Sequence, residues 1–137
     1  MNTNELRERL DALFPQLVDE LSQLVAIPSV SSDPSHAADV DRSAEHIRSR
    51  FEALGLDAQI HSVTTPEGVQ GKPAILARSP HIEGAPTILL YAHHDVQPTG
   101  DLARWHSAPW TTVVKGDRIY GRGTSDDGAG VIVHLGS

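Results

Sequence analysis

The sequence of 137 residues contains no cysteine. Disulfide bonds and thiolate metal ligands are therefore excluded, and a cytoplasmic setting is expected. Long apolar runs are also absent, since the longest, Thr87 to Ala92, is far too short to span a bilayer. The polar start, Met1 to Glu5, has no apolar signal core, so neither membrane insertion nor export is expected.

Basic residues are scarce, with 11 lysines and arginines against 18 aspartates and glutamates, which gives a formal net charge of −7. Nucleic-acid binding draws much of its affinity from neutralised phosphates, so this acidic chain is a poor candidate for it. Apolar residues make up 39% and charged residues 21%, the balance of a folded globular protein. Histidine is plentiful, with 8 residues. Without thiols, any transition-metal site must combine imidazole and carboxylate groups, the usual set for catalytic zinc.

Two amphipathic helical patterns occupy the N-terminal part of the chain. In the first, leucines recur at steps of three and four residues, and Pro15 interrupts them by removing an interior hydrogen bond. This predicts a short helix ending near Leu13 and another from Pro15 to about Ala26. The second pattern runs from Val40 to Leu54, and Gly55 stands where a helix is expected to end.

The continuous apolar run from Pro86 to Ala92 predicts a central strand buried on both faces. Together with the helices, it indicates an α/β sandwich in which a mixed, largely parallel central sheet is flanked by helices. Shorter strands are expected at Ala58–Val63, Pro73–Ala77, Thr111–Val114 and Arg118–Tyr120, and a last helix at Gly128–Leu135.

Metal-competent side chains follow the predicted central strand directly, as His93, His94 and Asp95. Ligands of open α/β sheets lie beyond the carboxyl ends of the strands. Because side chains alternate along a strand, His93 and Asp95 share a face and His94 points away. Asp95 can then accept the second ring proton of His93 and raise the basicity of the metal-binding nitrogen. Chance gives roughly 0.6 His-x-Asp spacings in such a chain, so a hydrogen-bonded strand-end pair without metal is the alternative.

Two adjacent carboxylates, Asp126 and Asp127, lie in the glycine-rich segment Tyr120–Gly130 ahead of the predicted last helix. Glycines let the backbone approach a ligand closely, and one carboxylate can bridge two cations through its two oxygens. The alternative for Asp127 is a helix N-cap without any ligand. A phosphate-binding loop is disfavoured, because the lysine of the nucleotide loop and the Gly-x-Gly-x-x-Gly pattern are missing. The other histidines are expected to be solvated or structural.

Taken in order, these motifs resemble the dinuclear zinc peptidase family of aminoacylases, acetylornithine deacetylase, succinyl-diaminopimelate desuccinylase and carnosinase-like dipeptidases. Each motif is moderately specific, but the ordered set is specific and covers nearly the whole chain. The segment Asp-Val-Gln-Pro and the two tryptophans are most similar to the dipeptidase branch. The segments that carry the resemblance are Leu24–Ser31, Tyr91–Pro98, Trp105, Pro109–Trp110 and Tyr120–Asp127.

The resemblance implies a role for each acidic residue and histidine of these motifs. His93 would bind one zinc ion, and Asp95 would support it as a catalytic residue. Asp126 would bridge two zinc ions and would be joined to Asp127 by a cis peptide bond. Asp127 would support the ligands without binding metal itself. Gly128 departs from the family, which often has lysine at that place.

The activity that the resemblance implies is hydrolysis of amide bonds, in dipeptides or N-acyl amino acids. Two zinc ions, with cobalt or manganese as substitutes, would polarise the carbonyl and lower the pKa of a bridging water towards ~7. The alternatives are an N-acyl amino acid deacylase of the desuccinylase or deacetylase type, and a non-catalytic metal-binding relic. The parent protein is expected to be a homodimer.

The family also uses a Glu-Glu pair with the general base, another acidic ligand and a distant histidine, all expected beyond Ser137. Residues 1–137 are therefore expected to be the N-terminal portion of the catalytic zinc-peptidase domain. The remainder of that domain and the lid and dimerisation domain are expected to be missing. The chain alone is expected to bind zinc weakly and to be inactive.

Overall fold

Three α-helices and two small β-sheets follow one another in a computed structural model, which describes residues 2–137. Among these residues, no helix combines the length and hydropathy that a membrane span requires. The helices are α1 (Thr3–Val25), α2 (Ala37–Ala53) and α3 (Gly128–Leu135), and the strands are β1 (Asp57–His61), β2 (Ala74–Arg78), β3 (Val113–Lys115) and β4 (Arg118–Tyr120).

Helix α1 is continuous through Pro15, so the prediction of two separate helices is wrong. Its N-terminus is closed by a capping box, in which Asn2 Oδ1 accepts from the Glu5 N–H and Glu5 Oε2 accepts from the Asn2 N–H, each at 3.0 Å. Its C-terminal half is anchored by buried side chains such as Leu21 and Leu24. The proline removes only one interior hydrogen bond, and the contacts at both ends outweigh that loss.

Helix α2 ends where the sequence predicts. The N–H of Gly55 donates to the carbonyl of Glu52 at 2.8 Å, and that of Leu56 donates to Phe51 at 3.1 Å. Gly55 has φ +83°, a conformation that glycine adopts without steric cost, and it turns the chain towards β1. The chain therefore leaves α2 in a fixed direction.

The buried core lies where the three helices meet. One cluster contains Leu21, Val25 and Ile132, and a second contains Leu24, Ile47 and Val131. Burial of each such side chain stabilises the fold by about 1.5–3 kcal/mol. Helix α1 therefore packs against α2 on one part of its surface and against α3 on another. An ion pair between Arg50 and the buried Glu20, with Nε and Oε2 2.7 Å apart, also joins α2 to α1.

Both sheets are two-stranded and antiparallel. Strand β1 pairs with β2 from Asp57 opposite Arg78 to His61 opposite Ala74, and β3 pairs with β4 through a turn at Gly116. The predicted mixed, largely parallel central sheet is not found within residues 2–137. The short strands themselves lie within two residues of their predicted bounds.

The apolar run from Pro86 to Ala92 forms no strand, which corrects the prediction of a buried central strand. Leu89 is 86% exposed and Tyr91 80% exposed. A strand exists only through hydrogen bonds to a neighbour, and no strand of the described residues lies beside this run. Apolar composition predicts that a segment is buried, but it does not show whether a neighbouring strand is present to pair with it.

Candidate metal centre

Residues 93–96 are held in place by the segment that follows α1. The buried hydroxyl of Ser29 donates to the carbonyl of His94 at 2.8 Å, and the Ser29 carbonyl accepts from the N–H of Val96 at 3.0 Å. These two bonds link segments 65 residues apart in sequence and fix their register. The residues after the apolar run are thereby positioned by α1, although no strand leads into them.

The imidazole of His93 lies between two aspartates, as predicted. Its Nδ1–H donates to the carbonyl of Asp95 at 3.0 Å, and Asp95 Oδ1 lies 3.2 Å from the same nitrogen. On the other side of the ring, Nε2 lies 3.0 Å from Oδ1 of Asp126. A carbonyl can only accept, so the proton belongs on Nδ1, and the lone pair of Nε2 faces the Asp126 carboxylate.

The surroundings of His93 favour a positive charge. Partial burial acts to lower the pKa of His93, but the hydrogen bonds to the Asp95 carbonyl and the Asp126 carboxylate, together with both negative charges, outweigh it. The net pKa is raised. An imidazole and a carboxylate that attract a proton between them also present the donor atoms of a cation site.

Asp127 does not act as a simple helix cap. It occupies the N-cap position of α3, yet its side chain makes no capping hydrogen bond. Instead, Oδ2 accepts from the backbone N–H of His93 at 3.2 Å. The peptide bond between Asp126 and Asp127 is cis, as the family resemblance implies. The Asp127 side chain therefore does not cap α3. It links the segment of Asp126 and Asp127 to the segment of His93 and Asp95.

His94 points away from this group, as the alternation of side chains predicts. Its Nε2 donates to the carbonyl of Pro73 at 3.0 Å, and its Nδ1 lies 3.2 Å from the hydroxyl of Ser43. Ser43 belongs to the buried face of α2. His94 thus links α2 to the segment before β2 and contributes no donor atom beside His93.

Gly128, which departs from the family pattern, lies against the glycine-rich loop. Its N–H donates to the carbonyl of Gly123 at 2.9 Å, and a Cβ atom built on Gly128 would come within 2.6 Å of that oxygen. Such a distance excludes a side chain in this backbone conformation. The close packing of loop and helix therefore accounts for glycine here.

Sequence reasoning missed two contacts at this site. Ser31 donates through Oγ to Oδ2 of Asp95 at 2.5 Å, and Nε2 of His134 in α3 lies 2.9 Å from the carbonyl of Tyr91. Neither residue stands in a recognisable spacing with His93. Only the position of Ser31 at the end of the Leu24–Ser31 motif could have drawn attention to it.

The remaining histidines lie elsewhere. The structure places them on exposed or half-buried surface, and His36 pairs with Asp39, with Nδ1 and Oδ2 2.6 Å apart. The prediction that they are solvated or structural agrees with these positions, which are those of His36, His46, His61, His81 and His106.

The donor atoms at the site are of the kind that a divalent cation takes from proteins. Imidazole nitrogen and carboxylate oxygen are the donors of catalytic zinc, and His93 and Asp126 bring one of each together. Within residues 2–137, no group of three or more histidine or acidic side chains is arranged to hold a metal ion. The type of donor fits such a cation, and the described residues bring two such donors together.

Comparison with known proteins shows where this geometry belongs. Residues 89–136, which contain His93, Asp95, Asp126 and Asp127, match the model of peptidase family M20/M25/M40. This segment of the chain belongs to that peptidase family, and curated dipeptidases extend the similarity over most of the chain. The family resemblance drawn from the ordered motifs is confirmed.

Curated dipeptidases match most of the chain, and a curated desuccinylase matches part of it. A cysteinylglycine-S-conjugate dipeptidase from Corynebacterium striatum is 35% identical over 120 residues, which are 88% of this chain and 25% of that protein. A Cys-Gly metallodipeptidase from Candida albicans is 32% identical over 93% of this chain and 28% of its own length. A succinyl-diaminopimelate desuccinylase from Polaromonas naphthalenivorans is 50% identical over 40 residues, or 29% of this chain.

Solved structures of this kind show the same fold. The dipeptidase Dug1p from Saccharomyces cerevisiae superposes with a TM-score of 0.87 at 26% identity, over 97% of this chain and 29% of that one. Human carnosine dipeptidase 1 gives 0.83 at 25% identity over 96% of this chain. The chain thus has the fold of these dipeptidases over the region compared, and it spans about a quarter of the length of the curated dipeptidases.

Proposed function

We propose that this protein, at its full length, is a divalent-metal-dependent dipeptidase that hydrolyses the amide bond of its substrate. The observation that carries the proposal is the pair formed by His93 Nε2 and Asp126 Oδ1, 3.0 Å apart. With the ring proton on Nδ1, both facing atoms offer lone pairs, so a proton or a cation must lie between them. Dipeptidase relatives that match 88% and 93% of the chain, one of them named a metallodipeptidase, support the cation.

The proposed occupants are two zinc ions, with cobalt or manganese as substitutes. His93 would hold one of them, and Asp126 would bridge both. When bound, such an ion acts as a Lewis acid towards the amide carbonyl. Zinc usually takes four ligands, so the proposal requires further donors besides His93 and Asp126, and it concerns the whole protein.

Two neighbouring residues set the tautomer of the His93 ring and the position of its backbone. The Asp95 carbonyl and carboxylate keep the proton on Nδ1, so the lone pair of Nε2 is the one that would bind a metal ion. Asp127 holds the backbone N–H of His93 and so sets the distance between the two constellations. The Asp126 side chain is 76% exposed, which leaves the donor pair open to substrate. No residue of the described chain is assigned as general base.

The substrate class rests on the extent of each similarity. The dipeptidases align over 88% and 93% of the chain, a desuccinylase from Paraburkholderia xenovorans over 76% at 34% identity, and the one from Polaromonas naphthalenivorans over 40 residues. Both superposed structures, at 26% and 25% identity, are dipeptidases. We therefore favour a dipeptide and keep an N-acyl amino acid as the second candidate. A mixed, largely parallel central sheet, a cytoplasmic location and a homodimer remain part of the proposal for the whole protein.

The test is an activity assay of the full-length protein against both substrate classes. Purified protein would be assayed with Cys-Gly, with dipeptides that lack a thiol and with an N-succinyl amino acid, before and after removal of metal by a chelator. We expect dipeptide turnover that disappears on chelation and returns with zinc, cobalt or manganese.

Substitution of His93 tests whether turnover depends on the proposed site. His93→Ala should abolish turnover and weaken zinc binding, because it removes a ligand. His81→Ala is the matched control, since His81 is exposed and lies outside the site. Turnover of the succinylated substrate alone would favour the deacylase, and turnover in His93→Ala equal to that of the control would overturn the site.

A further inference from the structure

Both oxygens of the Asp95 carboxylate have partners. Oδ1 lies 3.2 Å from Nδ1 of His93, and Oδ2 accepts from Oγ of Ser31 at 2.5 Å. The torsion that turns a carboxylate about its last bond is broad, so a single contact leaves the orientation of the group loosely defined. A second contact on the other oxygen fixes the plane of the carboxylate. The carboxylate then orients the ring of His93 together with the Asp95 carbonyl, which accepts from Nδ1–H at 3.0 Å.

Ser31 is itself held in place by the register of its segment. Two residues earlier, Ser29 bonds to the carbonyl of His94 and to the N–H of Val96, and Ser29 and Val30 are only 1% and 2% exposed. This pairing brings the hydroxyl of Ser31 beside Asp95. The contact therefore follows from the backbone and is more than a chance rotamer of a surface serine.

We propose that Ser31 is a positioning residue of the metal site: it fixes the Asp95 carboxylate beside Nδ1 of His93, and this carboxylate together with the Asp95 carbonyl orients the ring towards Asp126. The inference rests on the proposed function for the identity of the group that His93 binds. Within residues 2–137, the Ser31 hydroxyl has no second hydrogen-bond partner. Its one contact is thus directed at the site.

The experiment compares Ser31→Ala, Ser31→Thr and a matched control in the full-length protein. Ser35→Ala is the control, because the Ser35 hydroxyl also donates to an aspartate, Asp33 Oδ1, at 2.7 Å, but in an exposed turn that, within residues 2–137, makes no hydrogen bond to the site. The first readouts are the zinc dissociation constant, by competition with a chelator, and the visible absorption of the cobalt-loaded protein. Partners that orient metal ligands typically contribute 10–100-fold to affinity, so Ser31→Ala should bind zinc about tenfold more weakly with an altered cobalt spectrum.

The conservative variant separates positioning from a merely structural role. Ser31→Thr keeps the hydroxyl and should restore both the affinity and the spectrum, while Ser35→Ala should match the wild type. If Ser31→Ala binds zinc as tightly as the wild type with an unchanged cobalt spectrum, the positioning role is overturned. It is equally overturned if Ser31→Thr is as impaired as Ser31→Ala.

A metal-free measurement keeps this proposal distinct from the proposed function. The ring nitrogens of His93 would be observed by ¹⁵N–¹H correlation spectroscopy in the absence of any cation. We expect their shifts to change in Ser31→Ala but not in Ser31→Thr or Ser35→Ala. If the wild type binds no divalent cation, the proposed function fails, and the His93 shifts still decide the role of Ser31: a change supports it and identical shifts overturn it.

Discussion

Gly130 lies beside Asp127 in the first turn of α3, and its missing side chain leaves room for the carboxylate. A Cβ atom built there would stand 2.4 Å from Oδ1 and 2.8 Å from Cγ of Asp127. Alanine is therefore expected to displace the carboxylate from the N–H of His93. The cost of losing a hydrogen bond to a charged group, ~1.5–3 kcal/mol, exceeds the gain of ~1 kcal/mol from better helix propensity. Gly130→Ala should thus destabilise the protein by about 1 kcal/mol, measured by urea unfolding.

The sign of this effect should reverse when the carboxylate is absent. In an Asp127→Ala background there is no collision, so adding Gly130→Ala should stabilise the protein by about 1 kcal/mol through helix propensity alone. Stabilisation by Gly130→Ala in both backgrounds would show that the crowding has no energetic consequence.

His46 is a residue outside the site through which stability depends on pH. Burial and the nearby charge of Arg50 lower its pKa below the ordinary 6.5, and Glu20 opposes them only in part. The folded state therefore prefers neutral His46, and its contribution to stability is complete above pH 6.5 and is lost as the pH falls through the lowered pKa. We expect the His46 ring protons to titrate below 6.5 in an NMR experiment.

Two variants check this assignment. In His46→Gln, the free energy of unfolding should fall less steeply than in the wild type as the pH drops below 6.5. In Arg50→Ala, the pKa of His46 should rise, because a repelling charge is removed and Glu20 loses its partner. Titration of His46 at or above its ordinary value in the wild type would contradict the expected direction.

At the residue scale, the sequence predicted the donor pair but not its support. His93 and Asp126 stand next to motifs with recognisable spacing, and the structure brings them within 3.0 Å. Ser31 is 64 residues from Asp95, and no local pattern indicates such a contact. The N-cap alternative for Asp127 was reasonable by position, but the N–H of His93 competes successfully for its carboxylate.

At the scale of elements, helix α1 carries an interior proline at an exposed position. Pro15→Ala restores one backbone hydrogen bond and removes the ring's clash with the preceding turn. We expect the free energy of unfolding to rise by up to about 3 kcal/mol. Chemical denaturation followed by circular dichroism measures this, and Gln16→Ala, at the next exposed position, should change stability by less than about 0.5 kcal/mol. An unchanged or lower midpoint for Pro15→Ala would contradict the expected cost of the proline.

Helices and strands were predictable to different degrees for a physical reason. A helix satisfies its hydrogen bonds within one segment, so the spacing of leucines and the position of Gly55 were enough to predict helical structure over α1 and α2, although α1 was wrongly divided at Pro15. A strand needs a neighbour that is often remote in sequence. The run from Pro86 to Ala92 has the composition of a central strand but no neighbour among residues 2–137, and its leucines and Tyr91 are exposed.

At the scale of the whole molecule, the family was predictable because the motifs occur in order along the chain, whereas the predicted parallel central sheet is not found among residues 2–137. The matched family segment, residues 89–136, begins inside the apolar run and contains both constellations. The segment that supports them, Ser29 to Ser31, lies outside it. The similarity to complete dipeptidases over nearly the whole chain covers both parts, whereas the activity itself needs the proposed experiments.

The hydrogen bonds from Ser29 and Ser31 to residues 94 and 95 close a loop of 64 to 65 residues, within which α2, β1 and β2 lie. Closing a long loop costs chain entropy before its contacts repay it. We therefore expect these bonds to form after the helices and the β1–β2 hairpin, which depend on nearer neighbours. The ring of His93 is then expected to reach its final orientation among the last events of folding.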